Sequence, residues 1–532
     1  MNIPVMLHIS PSQKKQDSNP LDDADAVGRS ENERPASPMK VLFICPYIPL
    51  EKFYGKYAKF GAVLPPYGMA CVASYLRKYG LDVTLMDANR AGSSVTEVTA
   101  AAAKIAPDIV GLYATTLGYS EAQELVRALK FALPASTKYI LGGPHAIGER
   151  GDVLKKNSDF DFSCLGEGEI CMRQLTVALS AGKTDLSEVT ALVWRRDGDI
   201  VENPVHQLIN VDDVPTPFAE LGTLDNYRQK AFAYRKTPFA MVQTVRGCPF
   251  KCVFCSSPNY LTTIQGGKLR AHSIAWIERQ LDYLVYERGV REVYFVDDTF
   301  NWKKSRVFEI CDLIERKYPE LVWSCNFEVA HASREMLAAM QRSGCWSIMI
   351  GAESGSQEIL ARIQKKIKVE QIVQAADWCH DLGLMGRASF ILGHPGETPE
   401  TLQQTMDLAR RVRLPFVTFS LMTPFAGTRM FDIAADNGNW TYESEKTTLS
   451  KITFVPFGIS KELLEKTYRN AYRVVYGDMK RNLMLLRYLK SWANWDFLLR
   501  TIARFFKPYP SPRPLKLSNE KFTLSGALQE KL

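Results

Sequence analysis

Short apolar runs alternate with amphipathic segments along most of the chain. The first run covers residues 40–45 and stops at Pro46, and its continuous apolar character is typical of a buried parallel strand. Similar runs, separated by helical patterns, predict five strands at 40–45, 81–86, 108–112, 138–141 and 162–165. Strands that alternate with helices in this way predict a doubly wound α/β sheet, whose ligands bind beyond the carboxyl ends of the strands.

A second series of strands begins at Phe239. Six runs, each followed by a helical pattern, predict strands at 240–245, 292–296, 322–327, 347–350, 388–392 and 417–422. Six βα units in succession fit a partial (β/α)6 barrel, in which the chemistry belongs at the carboxyl ends of the strands. Between the two series, an irregular stretch with Pro204, Pro215 and Pro217 is typical of a linker.

These patterns divide the chain into six parts. The N-terminal segment is polar, rich in Ser, Pro, Asp and Asn, and nearly without aromatic residues, which predicts disorder. The predicted parts are a disordered tail 1–38, a doubly wound Rossmann-like domain 39–185, a linker 186–238, a partial barrel 239–435, a helical C-terminal region 436–514 and a tail 515–532.

Composition and charge narrow the class of protein. The 46% apolar share is typical of a globular chain, and no apolar run approaches the roughly 18 residues that span a bilayer. The N-terminus lacks the features of a signal peptide, so we expect a cytoplasmic protein. The net charge of +8 is concentrated in residues 476–514, but no nucleic-acid-binding motif accompanies it, and we expect no nucleic-acid partner.

The C-terminal segment 485–506 predicts an amphipathic helix. Its apolar face contains Trp492 and Trp495, while another face carries the basic residues Arg487, Lys490, Arg500 and Arg504. Peripheral contact with a membrane surface is one interpretation. Packing across the open barrel is the other.

The sharpest chemical signal is a C-x3-C-x2-C run formed by Cys248, Cys252 and Cys255, directly after the first strand of the second series. Three thiolates on one loop can hold three irons of a [4Fe–4S] cluster and leave the fourth iron open for chemistry. A structural zinc site needs four ligands, and no second cysteine pair follows at a suitable spacing. A ferredoxin would also supply a fourth cysteine, so the motif favours a catalytic cluster.

This loop resembles the signature of the radical SAM superfamily. The resemblance implies that Cys248, Cys252 and Cys255 bind the cluster, that S-adenosylmethionine (SAM) completes the open iron, and that Phe254 lies beside the adenine. Later strand ends resemble the family's SAM-contacting positions, and the candidates there are Asp298, Glu353, Ser354 and Gly393. His394, in the same turn as Gly393, suits either proton transfer or, more simply, a hydrogen bond within the turn.

The first domain resembles the cobalamin-binding domains that precede some radical SAM barrels. The resemblance rests on two segments and implies that their residues Gly142, Gly143, His145, Gly166 and Glu167 bind the cofactor. The D-x-H-x-x-G motif that donates a histidine to cobalt in some such domains is absent, since loop 47–65 contains no histidine. Histidine ligation is therefore not expected, and His145 suits either a corrin contact or a structural hydrogen bond.

Together the resemblances imply a cobalamin-dependent radical SAM enzyme, and we expect a C-methyltransferase that acts on an unactivated carbon of an apolar, hopanoid- or isoprenoid-like substrate. In that class one SAM donates a methyl group to cobalamin and a second supplies the radical. An oxidative cyclase or rearrangement enzyme resembling the anaerobic magnesium-protoporphyrin ester cyclases is the alternative, and an iron–sulfur electron carrier or sensor is a non-enzymatic one. A low-potential electron donor such as flavodoxin or ferredoxin is the expected protein partner.

Overall fold

The structure is a computed structural model of the chain and describes residues 38–54, 61–222, 224, 227, 233–257, 267–441 and 451–486. Most of the two predicted tails and of the predicted helix 485–506 lies outside these residues. The predictions of disorder, and of apolar and basic faces on that helix, therefore stay predictions.

The first domain is built on a sheet of seven strands among the described residues, in the order β2-β1-β3-β4-β5-β6-β7. The first five strands of this order are parallel, and the last two are antiparallel. The five strands predicted for this domain are confirmed. The strands are β1 Lys40–Cys45, β2 Asp82–Asp87, β3 Ile109–Tyr113, β4 Lys138–Gly142, β5 Phe162–Cys164, β6 Leu192–Arg196 and β7 Asp199–Glu202.

The apolar run of β1 is buried on both faces of this sheet. Val41 and Phe43 join the large core that continues into the second domain, whereas Leu42 and Ile44 join a separate core on the opposite face. Successive side chains of a strand point to opposite faces, so a strand covered on both sides must be apolar throughout. This is why the strand could be recognised from its sequence.

The segment expected to be an irregular linker contains a β-hairpin. β6 and β7 are joined by Asp197 and Gly198, both with positive φ (52° and 92°), and they extend the first sheet. An Asp-Gly pair between two strands is a strong hairpin signal because both residues must adopt positive φ. The expectation of irregular structure was therefore wrong for residues 192–202.

The second domain contains a sheet with the order β15-β14-β13-β12-β11-β8 and parallel pairing throughout its described strands. Neighbouring strands follow chain order, as predicted for a partial (β/α)6 barrel. Soon after β8 the chain forms a short strand, β9, which pairs antiparallel with β10. The strands are β8 Phe239–Val242, β9 Val245–Arg246, β10 Arg270–Ala271, β11 Glu292–Phe295, β12 Val322–Phe327, β13 Cys345–Glu353, β14 Met385–Leu392 and β15 Phe416–Leu421.

The first barrel strand ends three residues earlier than predicted. The buried carboxylate of Asp297 accepts hydrogen bonds from the backbone N–H groups of Thr244 (2.6 Å) and Val245 (3.0 Å). These N–H groups are thereby withdrawn from the sheet, and the chain turns from β8 into β9. The turn directs Arg246 and the following cysteine loop toward the first domain.

Helices cover the outer faces of both sheets. In the first domain the helices are α1 Leu50–Tyr54, α2 Tyr67–Lys78, α3 Ala88–Ala91, α4 Val95–Ile105, α5 Tyr119–Ala132, α6 Pro144–Glu149, α7 Asp152–Lys156 and α8 Gly168–Ser180. In the barrel they are α9 Ile274–Asp282, α10 Lys304–Lys317, α11 Arg334–Arg342, α12 Gln357–Arg362, α13 Val369–Asp381, α14 Pro399–Arg411 and α15 Arg429–Asn437. None of the helices in the described residues is long and apolar enough to cross a membrane.

The C-terminal region is not helical throughout. A hairpin formed by β16 Gly438–Trp440 and β17 Phe454–Pro456 precedes α16 Lys461–Tyr476 and α17 Met479–Leu486. The hydroxyl of Tyr476 accepts from the backbone N–H of Val417 and donates to its carbonyl, both at 2.8 Å. These bonds satisfy the open edge of β15, so α16 covers the edge strand of the barrel.

Candidate functional site

A cavity of about 500 Å³ lies between the two domains, at the carboxyl ends of their strands. Cavities of this size are typical of sites for small molecules and cofactors. The first domain contributes residues at the ends of β1, β3, β4 and β5, and the barrel contributes residues of the cysteine loop and of later strand ends. The residues that matter below are Tyr67, Gly142, Gly143, Gly166, Glu167, Glu169, Gln243, Arg246, Gly247, Ser257, Asp298, Ala426 and Gly427.

Two of the predicted glycines lie on the floor of the cavity. A Cβ atom added to Gly142 would meet no atom within 4 Å, so a ligand can approach the backbone there. Gly143 has φ of 97°, a conformation that other residues rarely adopt, and it starts the turn into α6. Gly142, Gly143, Gly166 and Glu167 thus line the cavity as expected for ligand-binding positions.

The hydrogen-bonding capacity of the Glu167 carboxylate is only partly used among the described residues. Its Oε1 atom is held by Arg246 at 2.9 Å and also by Arg270, whereas its buried Oε2 atom has no hydrogen-bond partner among the described residues. A buried oxygen without a donor is costly, and because Glu167 is one of the residues that line the cavity, a ligand that supplies a donor would relieve that cost. The carboxamide groups around a corrin ring are such donors, and the donor set of the cavity therefore fits cobalamin.

Arg246 connects the two walls of the cavity. It donates to Glu167 through Nη1 (2.9 Å) and to Glu169 through Nη2 (2.7 Å), and all three side chains are buried. Both carboxylates belong to the Gly-Glu-Gly-Glu segment of the first domain, while Arg246 lies two residues before Cys248. The two carboxylates of the first domain thus form ion pairs with a residue at the start of the cysteine loop.

Close backbone contacts bring the two domains together at other points of the rim. A Cβ atom on Gly148 of α6 would collide with the backbone carbonyl of Ala426 in the turn after β15. The hydroxyl of Tyr67 in α2 accepts a hydrogen bond from the N–H of Gln243 at 3.2 Å. The cavity walls are therefore fixed to each other by main-chain as well as side-chain contacts.

The cysteine loop is anchored at its centre. The N–H of Val253 donates to the carbonyl of Ile363 at the end of α12 (3.0 Å), and the carbonyl of Val253 accepts from the N–H of Met430 in α15 (2.8 Å). Both backbone polar groups of Val253 are thereby tied to different helices. This anchoring holds Cys252 and Cys255 on either side of a fixed point.

Burial keeps the three thiols of the loop protonated when no metal is bound. It raises the pKa of each thiol, in Cys252 to about 12, and charge repulsion from Cys255 also raises the pKa of Cys248 and of Cys252. Metal coordination displaces such protons. No three His, Cys, Asp or Glu side chains in the described part converge on the position of a single metal ion, whereas the thiolates of a cluster bind separate irons and lie farther apart.

Glu353 ends β13 in a strained conformation beside this loop. Its φ is 62°, which is rare for a residue with a side chain, and the pairing of β13 with β14 is irregular there. Burial raises the pKa of Glu353 to about 7, and the neighbouring ammonium of Lys365 opposes that effect. Strain of this kind is tolerated chiefly at functional positions.

A second buried ion pair lies next to Glu353. Lys365 donates to Glu328 at 2.5 Å. Burial lowers the pKa of Lys365, but the carboxylates of Glu328 and Glu353 more than offset this, so its pKa is raised and it stays charged. The ammonium of Lys365 therefore lies close to Cys252. It lowers the pKa of this thiol, whereas burial raises it.

The remaining predicted residues occupy different environments. Asp298 lines the cavity and is exposed to it. His145 does not belong to the cavity lining, because its ring stacks on Tyr119 at 3.9 Å and lies 3.4 Å from the hydroxyl of Thr116. The structure therefore supports the structural interpretation of His145 rather than the corrin contact.

Ser354 and Gly393 are likewise used within turns. The hydroxyl of Ser354 pairs with that of Thr405 at 3.1 Å and accepts from the N–H of Ser356. The N–H of Gly393 donates to the buried carboxylate of Glu397, which also accepts from His394 at 3.0 Å. The side chain of Ser354 and the N–H of Gly393 therefore stabilise the strand ends.

Phe254 and His394 meet at the edge of the barrel mouth, with ring centroids 5.7 Å apart. Phe254 packs against an apolar cluster that includes Met422 and Phe454. Burial lowers the pKa of His394 to about 3, so its ring is neutral at physiological pH and poorly suited to donate a proton.

Several residues of this site could not be found from the sequence. Arg246 is separated from Glu169 by 77 positions, and Lys365 from Glu328 by 37. Ion pairs across such distances leave no local pattern. The one indication in the sequence was that a charged residue, Arg246, lies beside the cysteine motif.

Comparison with known proteins agrees with the division into two domains. The B12 binding domain model matches residues 57–176, and the Radical SAM superfamily model matches residues 242–409. The first match contains the strand ends that form the floor of the cavity. The second contains the cysteine loop, Asp298, Glu353 and Gly393.

Three curated relatives are similar over most of the chain. An uncharacterized methyltransferase of Pyrococcus horikoshii is 32% identical over 82% of this chain and 92% of its own. The anaerobic magnesium-protoporphyrin IX monomethyl ester cyclase of Rubrivivax gelatinosus is 25% identical over 88% of this chain and 82% of its own. The hopanoid C-3 methylase of Methylococcus capsulatus is 25% identical over 74% of this chain and 71% of its own.

A solved structure shares the fold. It is the radical S-adenosylmethionine methyltransferase TsrM from Kitasatospora setae, with cobalamin and a [4Fe-4S] cluster bound. The TM-score is 0.61 at 17% identity, with 82% of this chain and 85% of that chain covered. The arrangement of a doubly wound domain before a partial barrel is thus common to both proteins.

Proposed function

This chain belongs to the radical SAM superfamily, in the group of enzymes that also carry a B12-binding domain, and from that premise we propose that it is a C-methyltransferase acting on an unactivated carbon of an apolar substrate. The observation that supports this proposal is the shared cavity. Gly142 and Glu167 of the B12-binding domain line it from one side, and Gly247 and Asp298 of the barrel line it from the other. Methyl transfer requires that the cofactor of the B12-binding domain and the cofactors of the barrel act on the same substrate.

Three cofactors follow from the family: a [4Fe–4S] cluster, SAM and cobalamin. When bound, the cluster and SAM supply a carbon-centred radical that removes hydrogen from the substrate, and cobalamin supplies the methyl group. In this proposal Cys248, Cys252 and Cys255 hold the cluster.

The carboxylates near the loop suit SAM. Glu353 and Asp298 present acceptors for the methionyl ammonium or the ribose hydroxyls. Since Glu353 is buried and strained, it is held in one conformation before SAM arrives, which lowers the entropic cost of binding.

Cobalamin would lie on the open floor of the cavity. Gly142 would let the ring approach the backbone, and Glu167 would offer an acceptor to its carboxamide N–H groups.

The apolar class of substrate is supported by a relative. A relative that covers 74% of this chain is a hopanoid C-3 methylase. We propose a hopanoid- or isoprenoid-like lipid as the substrate, with peripheral membrane contact through residues 485–506 and a flavodoxin or ferredoxin as electron donor.

An oxidative cyclase or rearrangement enzyme is the second candidate. The observation that favours it is the similarity to a magnesium-protoporphyrin IX monomethyl ester cyclase over 88% of this chain. It would use the same residues for cluster and SAM but would transfer no methyl group. The non-enzymatic alternative, an electron carrier or sensor, is set aside because the chain belongs to an enzyme family.

The products of SAM separate these candidates. Anaerobically reconstituted and chemically reduced protein is incubated with SAM, with and without cobalamin, in the presence of a lipid extract containing hopanoids. The methyltransferase proposal predicts 5′-deoxyadenosine together with S-adenosylhomocysteine, the latter depending on cobalamin. Formation of 5′-deoxyadenosine without any S-adenosylhomocysteine would favour the cyclase, and loss of both products would contradict either enzyme.

A further inference from the structure

Arg246 lies where the B12-binding domain meets the cysteine loop. We propose that Arg246 is a positioning residue that couples ligand binding at the cavity to the conformation of the cluster-binding loop. The inference rests on the proposed function, because it assumes that cobalamin binds in the cavity and the cluster on the loop.

One end of the coupling is covalent. Arg246 is followed by Gly247, with φ of 99°, and then by Cys248. The backbone of Arg246 is fixed by its pairing with Arg270 in β10 and by the bonds of Asp297 to the two preceding residues. The Arg246 side chain and the thiol of Cys248 are therefore held on one short backbone segment, two peptide units apart.

The other end consists of two carboxylates in the first domain. Glu167 and Glu169 flank Gly168, the first residue of α8, and each binds a different nitrogen of the Arg246 guanidinium. Two bonds in different directions fix the plane of the guanidinium as well as its position. The orientation of Arg246 thus depends on where the start of α8 lies.

The cavity acts on the same carboxylates. Glu167, Glu169 and Arg246 all line the cavity, so a ligand bound there lies against these three side chains, and a donor to Glu167 would orient that carboxylate and, through Oε1, Arg246. Coupling between two sites is reciprocal, so a loop ordered by the cluster must also strengthen ligand binding in the cavity. Arg246 connects the two sites because it contacts both.

Arg270 offers a matched control. It binds the same oxygen of Glu167 as Arg246 does, and it also donates to the carbonyl of Ile209 at 2.8 Å. It lies in β10, however, beyond the cysteine loop rather than directly before it. Loss of Arg270 should weaken the charge cluster without removing the connection to Cys248.

The experiment measures the affinity of the full-length protein for aquacobalamin under anaerobic conditions, with and without a reconstituted cluster. For the wild type we expect binding about 5-fold tighter or more when the cluster is present, the lower end of typical coupling between sites. Arg246→Met should bring this ratio to one, and Arg270→Met should keep it. Glu169→Gln retains a neutral acceptor of the same shape and should reduce the ratio, so it serves if Arg246→Met does not fold.

The outcomes are distinguishable. A wild-type ratio of one, or a full ratio in folded Arg246→Met protein with normal iron content, would overturn the inference while leaving the proposed function intact. Absence of aquacobalamin binding in both forms of the wild type would overturn the proposed function as well.

Discussion

The ammonium of Lys365 lies 2.5 Å from the carboxylate of Glu328, and both side chains are buried next to the cysteine loop. Glu328 follows β12, whereas Lys365 follows α12. The pair therefore joins two neighbouring parts of the barrel close to Cys252. Its position makes it a test of how the site is stabilised.

Replacement of Lys365 by Met should destabilise the protein by about 3 kcal/mol, because it leaves the buried Glu328 carboxylate without its cation. Lys366→Met is the matched control, since the adjacent Lys366 side chain is exposed and should contribute little. Urea denaturation of the cofactor-free protein measures both variants. Equal stability of the two would contradict the structural role of the ion pair.

The strain at Glu353 predicts a difference between two variants that both lose the carboxylate. Glu353→Gly should be about 1 kcal/mol more stable than Glu353→Ala, because glycine adopts the φ of 62° without steric cost. Both variants should bind SAM more weakly than the wild type while retaining iron. Thermal denaturation and SAM titration test this pair, and a more stable alanine variant would show that the backbone there is unstrained.

The buried carboxyl group of Glu397 predicts a dependence of stability on pH. Burial raises its pKa to about 8, while hydrogen bonds from the N–H groups of Gly393 and His394 act in the opposite direction. Because the folded state keeps this proton longer than the unfolded state, the contribution to stability should fall as pH rises from about 5 to 8. Glu397→Gln should flatten this part of the pH profile of unfolding.

Glu400 provides the control for that profile. It is exposed, and hydrogen bonding to Thr398 lowers its pKa. A group with a lowered pKa loses its contribution as the pH falls below its unfolded value, so Glu400→Gln should not alter the profile between pH 5 and 8. Identical profiles for the wild type and Glu397→Gln would refute the assignment of the titration to Glu397.

The open floor of the cavity predicts that Gly142→Val blocks cobalamin. Valine suits the extended end of β4, and its side chain would occupy the space left open beside Gly142. We expect at least about a tenfold loss of aquacobalamin affinity, which corresponds to 1.4 kcal/mol, with unchanged iron content and thermal stability. Undiminished affinity would mean that the corrin does not lie over Gly142.

Much of this architecture could be predicted because each parallel strand is buried on both faces and therefore appears as an apolar run. The hairpin of β6 and β7 was missed because strand 199–202 has only two apolar residues, between two acidic ones, although Asp197-Gly198 marked its turn. The cysteine loop was recognisable because its three ligands are local in sequence. Contacts such as Arg246 with Glu169 were not, because only the folded sheet order brings the residues together. His145 illustrates the limit of motifs, since its position at a strand end does not determine where its ring points.

The central claim is that Cys248, Cys252 and Cys255 bind a [4Fe–4S] cluster that opens onto the cavity. The most direct measurement is the iron and sulfide content of anaerobically reconstituted protein, compared between the wild type and a variant with all three cysteines replaced by Ala. We predict close to four irons and four sulfides per wild-type chain, and none in a variant that remains folded by circular dichroism. Undiminished iron and sulfide in the folded triple variant would contradict the assignment.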